Sequence, residues 1–224
     1  MTTQPSKNVE AVAESIQWFG QASIKIQQAG KTIYIDPFNL KVPDKADAIF
    51  ITHPHFDHFS VEDIKRIVSP DTVVFCPSEL KEKITDIGIT NVYGIKPGFE
   101  SEWKGISIQA VPAYNIVKGD KHPKSSNWLG YVLTLGHVKV YHAGDTERIP
   151  EMQNISCDII LLPIGQTYTM NTIDEAVKAV LDTKASVAIP IHFGMYEGKV
   201  EDAETFAKML EGNVKVIIPK QSAN

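Results

Sequence analysis

The sequence predicts a layered α/β protein in which two sheets are covered by helices. Three features carry that expectation: strands dominate the early chain, strand and helix alternate through the last third, and an αβ alternation recurs in each half. At 224 residues, 43% hydrophobic and 22% charged, the chain has ordinary globular composition and length for a sizeable core. It reads most economically as one domain over residues 15–224, preceded by a polar N-terminal tail at 1–14.

The first ordered stretch is strand-rich: SIQWFG, ASIKIQ and KTIYID are separated by turns at Gly20 and Gly30. The apolar run ADAIFIT reads as a buried strand emptying into a loop. Ser60 and Asp63 have the spacing of a capping box, so VEDIKRIV should be helical. TVVFC predicts a strand, SELKEKITDIG a helix closed by Gly88, and NVYGI another strand, followed by GISIQAVPA. A polar loop spans Tyr114 to Ser126, and LGYVLTL and VKVYHA form a hairpin about Gly136 and His137. The last third alternates CDIILLPI strand, TIDEAVKAVLDT helix, SVAIPI strand, VEDAETFAKML helix and VKVIIP strand.

Composition removes several function classes. The formal net charge of -5 gives no global basic field for nucleic acid or anionic lipid. No apolar stretch approaches the ~20 residues a membrane span requires, and MTTQPSKNVEAVAES lacks a signal-peptide apolar segment. The two cysteines, Cys76 and Cys157, each lie in an apolar run and read as buried thiols. The expectation is a cytoplasmic, reduced protein acting on a small-molecule substrate, without nucleic-acid or membrane partners; its oligomeric state is not encoded in any of these features.

The chemistry concentrates in ITHPHFDHFS. In an extended segment His53 and His55 point the same way, and Asp57 and His58 lie at the turn before a helix and approach from another side. Imidazole and carboxylate ligands suit zinc, and also manganese or iron; the scarcity of cysteine argues against a structural thiolate site. The run follows a buried-type strand, where open α/β sheets place their ligands. Two histidines for one ion and an Asp-His pair for a second is a natural division, but two ions need more ligands from other strand ends. After VKVYHA comes Gly144-Asp145-Thr146, whose carboxylate fits a bridge between two cations. After SVAIPI comes His192, a strand-end histidine where the site is short of a ligand.

At these residues the resemblance becomes specific. HPHFDH resembles the HxHxDH motif of the metallo-β-lactamase superfamily, and HAGDT and PIHFG resemble its later Asp and His motifs. VPAYN, HPK, GYVL, YHAGDT and YTM are similar to its branch of small stand-alone metal-dependent hydrolases related to the ascorbate-phosphate lactonases. The resemblance runs from about Trp18 to His192. It implies a four-layer αββα sandwich with two divalent ions, Zn2+ first and Mn2+ or Fe2+ as alternatives, at one edge between the sheets. By resemblance His53 and His55 hold the first ion, Asp57, His58 and His192 the second, and Asp145 bridges them. The chain departs from the pattern where many members carry one more histidine, because that region reads Val111-Pro112-Ala113-Tyr114-Asn115. His122 is the best substitute, with a catalytic acid or an exposed loop histidine as the other readings. Gln21 stands where many relatives have histidine and is either a contact behind the ligands or structural.

The mechanism implied is hydrolysis by a metal-bound hydroxide that Asp57 orients, on a small, anionic ester, phosphodiester or lactone. Tyr114 and Tyr168 are candidate proton donors and substrate contacts, or packing aromatics. Among Lys118, Lys121 and Lys124, Lys124 is best placed beside His122 to meet a phosphate or carboxylate, against the plainer reading of a solvated charged loop. His137 should be solvated, and His142 is either support for the ligands or a core histidine bonded to backbone. Asp36 should orient a ligand histidine. Rival readings are an iron-dependent, dioxygenase-like oxidoreductase on the same scaffold and a non-catalytic metal-binding protein. A di-iron oxygen-reducing member would show Glu at position 55, where this chain has His55.

Overall fold

Two successive stretches of chain each build one sheet. The computed structural model describes residues 4–222. The first stretch comprises α1 (Lys7–Ser15), β1 (Ile16–Gly20), β2 (Ser23–Gln28), β3 (Lys31–Ile35), β4 (Ala48–Phe50), α2 (Val61–Ile67), β5 (Val73–Pro77), α3 (Lys81–Asp86) and β6 (Val92–Ile95). Its strands form a six-stranded sheet in sequence order, antiparallel across β1–β2–β3 and parallel from β3 to β6.

The second stretch comprises β7 (Glu100–Trp103), β8 (Ile106–Pro112), β9 (Leu129–Leu135), β10 (Val138–His142), β11 (Ile159–Pro163), α4 (Ile173–Asp182), β12 (Val187–Ile191), α5 (Val200–Leu210) and β13 (Lys215–Val216). These strands form a seven-stranded sheet ordered β13-β12-β11-β10-β9-β8-β7, parallel from β10 to β13.

Alternation along the parallel strands explains the layering. Ile33, Ile35, Ala48, Phe50, Val73 and Phe75 pack into the core shared with the second sheet. Their neighbours Tyr34, Ile49, Ile51, Val74 and Cys76 face the opposite way, onto Ile64 and Ile67 of α2 and Ile84 of α3. A sheet buried on both faces needs continuous apolar strands, which is why ADAIFIT and TVVFC show no polar alternation. On the far face of the second sheet, Ala176, Val177 and Val180 of α4 and Ala203, Phe206 and Leu210 of α5 complete the core. The order is α, β, β, α, as the resemblance implies. The two cysteines are buried and free, and burial pushes both thiols up to about 12.

Several local expectations need correction. The segment expected as a polar tail holds α1, which Ser6 caps through the Val9 N–H and which buries Val9, Val12 and Ala13. Its apolar residues sit at i, i+3 and i+4, a helical stripe diluted by Glu and Ser neighbours. Ser60 caps α2, but the Asp63 carboxylate does not complete the reciprocal box; it accepts the Asn39 and Leu40 N–H groups instead. SELKEKITDIG begins as a 3-10 turn at Ser78–Leu80, with no side-chain cap at Pro77 or Leu80 to open a regular helix. β7 was not expected, because its sequence ESEW is polar and lies at the exposed sheet edge. VKVIIP contributes only two paired residues at the opposite edge. No helix among the described residues is long and apolar enough to cross a membrane.

Val12, 4% exposed in α1, gives the test of the N-terminal correction. Val12→Ala should lower unfolding stability by about 2 kcal/mol, the value of two buried methylene-sized groups; a denaturant midpoint unchanged from the parent would restore the tail.

Candidate metal centre

The two sheets bring the ends of their parallel strands to one edge, and most of the buried polar side chains converge there. Asp36 follows β3, Thr52 and His53 follow β4, Asp145 follows β10 and His192 follows β12. Backbone bonds stitch the sheets together at this edge: Leu129 N–H donates to Thr52 O (3.0 Å) and His192 N–H to Gln21 O (2.9 Å). Gln21, Asp36 and His192 all adopt positive φ (47°, 49° and 57°). A non-glycine residue there costs about 1–2 kcal/mol. Each of the three terminates a strand by turning its side chain inward, so the strain is the cost of aiming these groups.

The seven residues expected as ligands fall into two groups with mutually close donor atoms: His53, His55, His122 and Asp145, and Asp57, His58 and His192. Asp145 lies between them. Its Oδ2 is 3.8 Å from His53 Nε2, 3.3 Å from His122 Nε2, 3.4 Å from His58 Nε2 and 3.2 Å from His192 Nε2. Asp57 Oδ2 lies 3.7 Å from His58 Nε2 and 3.6 Å from His192 Nε2. All are buried except His55, which opens to the pocket.

A second ring of contacts aims the imidazoles. Asp36 accepts the Thr52 N–H (2.7 Å) and hydroxyl (2.6 Å), and its Oδ2 lies 2.7 Å from His58 Nδ1. The Thr52 hydroxyl gives its one proton to Asp36, so toward His53 Nδ1 at 2.9 Å it acts as acceptor. One carboxylate therefore sets two histidines with Nε2 facing inward. Glu197 does the same for His192, through Nδ1 at 2.7 Å. Gln21 Nε2 donates to Asp57 Oδ2 (3.2 Å) and lies 3.1 Å from His192 Nε2, so Gln21 is a contact behind the ligands. The Trp128 ring packs 4.9, 5.0 and 5.4 Å from the rings of His53, His55 and His122.

These residues fit divalent ions. His58 Nε2, His122 Nε2 and Asp145 Oδ1 are buried with no hydrogen-bond partner, an unfavourable state that a bound cation relieves. Carboxylates clamped on Nδ1 are the usual support of metal-bound imidazole. The charges point the same way. Burial favours a neutral His58, but Asp145 and Asp36 outweigh it and raise its pKa to about 10. His192 is likewise held well above its ordinary value against burial, first by Asp145. Burial pushes the Asp57 carboxyl up, but the His192 hydrogen bond and the His58 charge bring it to about 2. The same cluster that binds protons so firmly favours cations.

The loop from Tyr114 to Ser126 is placed by the residues that follow Asp145. Gly144, at φ 66°, makes the turn; a Cβ there would lie 2.7 Å from Leu129 O. The Thr146 hydroxyl donates to Tyr114 O (2.8 Å), and the buried Glu147 carboxylate accepts the N–H groups of Ile116, Val117 and Lys118 at 2.7–2.9 Å. Asp145-Thr146-Glu147 thus supplies one group to the cluster and two to the loop that delivers His122. Asn115 does not replace His122: its Nδ2 donates to Tyr168 O (2.7 Å) and lies 3.2 Å from His122 Nδ1.

A cavity of about 460 Å³ opens onto this centre, lined by His55, Asp57, His122, Asp145 and His192, with Tyr168 on its wall. Two expected substrate contacts lie elsewhere. Tyr114 is buried and donates to Glu151 Oε2 (2.9 Å), and Lys124 pairs with Glu151 Oε1 (2.9 Å) and donates to the Tyr114 hydroxyl (3.1 Å). Neither lines the cavity, because the 3-10 turn at Lys124–Ser126 carries Lys124 over the Tyr114 ring. Lys118 donates to the Met170 carbonyl (2.9 Å). His142 is a core histidine whose Nε2 bonds Ala22 O (2.8 Å), and burial lowers its pKa. His137 is exposed.

Sequence reasoning missed Thr52, Glu197, Phe56 and Tyr196. Phe56 carried a readable signal, an apolar residue inside a polar ligand run; Glu197 carried none, since only the fold of its loop brings it to His192.

A sequence model of the beta-lactamase superfamily domain matches residues 15–192. A metal-dependent hydrolase of Thermoplasma volcanium is 36% identical over 220 residues, covering 92% of this chain and 95% of that protein. Among solved structures, one described as a metal-dependent hydrolase from Parabacteroides distasonis shares 31% identity at a TM-score of 0.80, covering 92% of this chain and 93% of that one. Igni18, a metallo hydrolase from Ignicoccus hospitalis, matches at 25% identity and a TM-score of 0.77, covering 92% and 95%.

Two measurements follow from this geometry. Asp36→Asn keeps a residue type that tolerates positive φ but removes the charge behind His58 and Thr52; zinc affinity should fall about 10–100-fold with the fold intact by circular dichroism. Because Asp145 and the carboxylates behind them raise His58 and His192 above the ordinary imidazole range, both favour the charged form, whose extra proton must leave on binding. Calorimetric titration with zinc in buffers of different ionisation enthalpy should show about two protons released per chain at pH 7, with affinity rising with pH. Affinity flat from pH 6 to 9 would contradict the charge reading.

Proposed function

Since the chain belongs to the beta-lactamase superfamily, we propose that it is a metal-dependent hydrolase with two divalent ions, zinc first, acting on a small ester, phosphodiester or lactone. The observation that carries this reading is Asp145 Oδ2, 3.2–3.8 Å from the Nε2 atoms of four histidines drawn from both ligand groups. In this reading Asp145 would be shared by two ions, one that His53, His55 and His122 would hold and one that Asp57, His58 and His192 would hold. Ions held there would supply Lewis-acid polarisation of a carbonyl or phosphoryl oxygen and would bring the ionisation of water to about pH 7.

The protein's own groups do the remaining work. Asp57, held by the Gln21 amide and facing the cavity, orients the attacking water and accepts its hydrogen bond. Asp36 and Glu197 keep His58 and His192 in the tautomer that presents Nε2. Glu147 holds the loop that brings His122 over the centre. Of the two phenols considered for leaving-group protonation, Tyr168 alone lines the cavity and takes that role in this reading.

The test begins with metal analysis of purified protein, then assays phosphodiesters, lactones and thioesters with the same preparation. Two ions per chain are expected, and Asp145→Ala should lower occupancy of both and abolish turnover. Retention of one ion at full affinity in that variant would refute the bridge, and iron as the native metal with no hydrolysis would favour an oxidoreductase.

A further inference from the structure

Apart from the proposed ligands, five side chains line the cavity: Phe56, Tyr168, Tyr196 and the pair Asp120 and Lys121. The pair closes on itself, with Lys121 Nζ 3.1 Å from Asp120 Oδ2, and adds no net charge. The other two lysines of the loop are engaged elsewhere, Lys118 on backbone carbonyls and Lys124 on Glu151 and Tyr114. Among the described residues, the one cation on the cavity wall outside the proposed ligands is therefore Lys121, already beside the Asp120 carboxylate. What remains is aromatic.

The three rings are open: Phe56 is 63% exposed, Tyr196 49% and Tyr168 41%. Isolated exposed apolar residues need no explanation, but three converging on one cavity do. Phe56 and Tyr196 meet edge to face with centroids 5.3 Å apart, and Phe38 supports Phe56 from behind at 6.1 Å. Each ring is also tied to the ligand cluster. Phe56 lies between His55 and Asp57 in the chain. Tyr196 precedes Glu197, whose Oε1 lies 2.7 Å from His192 Nδ1. The Tyr168 N–H donates to Glu197 Oε2 (2.6 Å), and the Thr169 hydroxyl donates to Oε1 (2.9 Å). Gly165 lies so close to that carboxyl that any Cβ would overlap it. The wall is fixed at a set distance from the reacting centre, as a specificity subsite must be.

We propose that Phe56, Tyr168 and Tyr196 form a subsite for an apolar arm, so that the substrate is an ester or lactone bearing an alkyl or aryl chain with no charge at its far end. This rests on the hydrolase reading and narrows it; it replaces the anionic arm expected from Lys124.

The test separates the two. Calorimetry on zinc-loaded protein compares acetate, octanoate and octanedioate, which share a carboxylate head but differ in their arm. Each methylene fully buried is worth about fourfold, so octanoate lying along one wall should bind at least about tenfold tighter than acetate. Octanedioate should lose most of that gain, because its second carboxylate meets the aromatic wall, and Lys121 already has the Asp120 carboxylate beside it. Phe56→Ala/Tyr196→Ala should bring octanoate close to acetate while retaining its zinc; if it sheds zinc, Tyr196→Ala alone is measured. In parallel, kcat/KM for γ-nonalactone should exceed that for γ-butyrolactone by at least about tenfold in the parent, and the ratio should fall in the double variant. Octanoate no tighter than acetate, octanedioate tightest, or a preference the variants keep would each overturn the subsite. Self-association abolished by the double variant would reassign the wall to a contact between copies. An octanoate preference with no hydrolysis of these lactones or of any ester or phosphodiester in the panel above would sink the hydrolase reading and leave the apolar subsite standing.

Discussion

The structure turns on one buried carboxylate. Asp145 is 4% exposed, and taking such an anion out of water is unfavourable by several kcal/mol unless positive charge surrounds it. Four imidazoles converge on its Oδ2, yet burial itself disfavours charging them. Without cations the cluster resolves this by holding protons, which is why His58 and His192 are raised while burial holds His53 and His55 low. Two divalent ions would satisfy the same field more completely and free every imidazole to be neutral.

That demand propagates outward. An inward-facing Nε2 requires an occupied Nδ1, and Asp36 and Glu197 supply it for His58 and His192 while Thr52 relays Asp36 to His53. Asp36 and His192 reach these positions only at positive φ, just past the ends of β3 and β12. The strain is tolerated because β3 and β12 are each paired on both sides and buried at their ends, so the surrounding packing over-determines the backbone. Stability and site geometry are therefore one problem here: the core that fixes the strand ends also fixes the ligands.

The cavity follows from the same scaffold. Glu147 gathers three successive amides of the Tyr114–Ser126 loop, and this hydrogen bonding holds its carboxyl below the ordinary value despite burial. Glu197 gathers the loop of Tyr168 on the opposite side. One carboxylate on each side of the centre converts a flexible loop into a wall, and both sit within a few residues of an expected ligand, Asp145 and His192.

The sequence by itself determined the layered class, most of the strands and the expected ligands other than His122, because each has a local cause. Apolar runs in ADAIFIT and TVVFC report two-sided burial, and HPHFDH, GDT and IHFG place ligating types directly after strands. The resemblance added the αββα order, which the structure bears out. Other features had no local cause. The stripe in α1 was hidden by its polar neighbours, β7 is a polar edge strand, and Lys124 and Lys121 look alike in the chain although only Lys121 reaches the cavity. Whether Gln21 touched the centre, which His the Asp36 carboxylate would orient, and that Glu197 existed as a partner for His192 were decided by loops closing across two sheets. Such closures depend on backbone turns at positive φ and on contacts between residues up to 171 positions apart, such as Gln21 and His192, and no pattern of neighbouring residues encodes them.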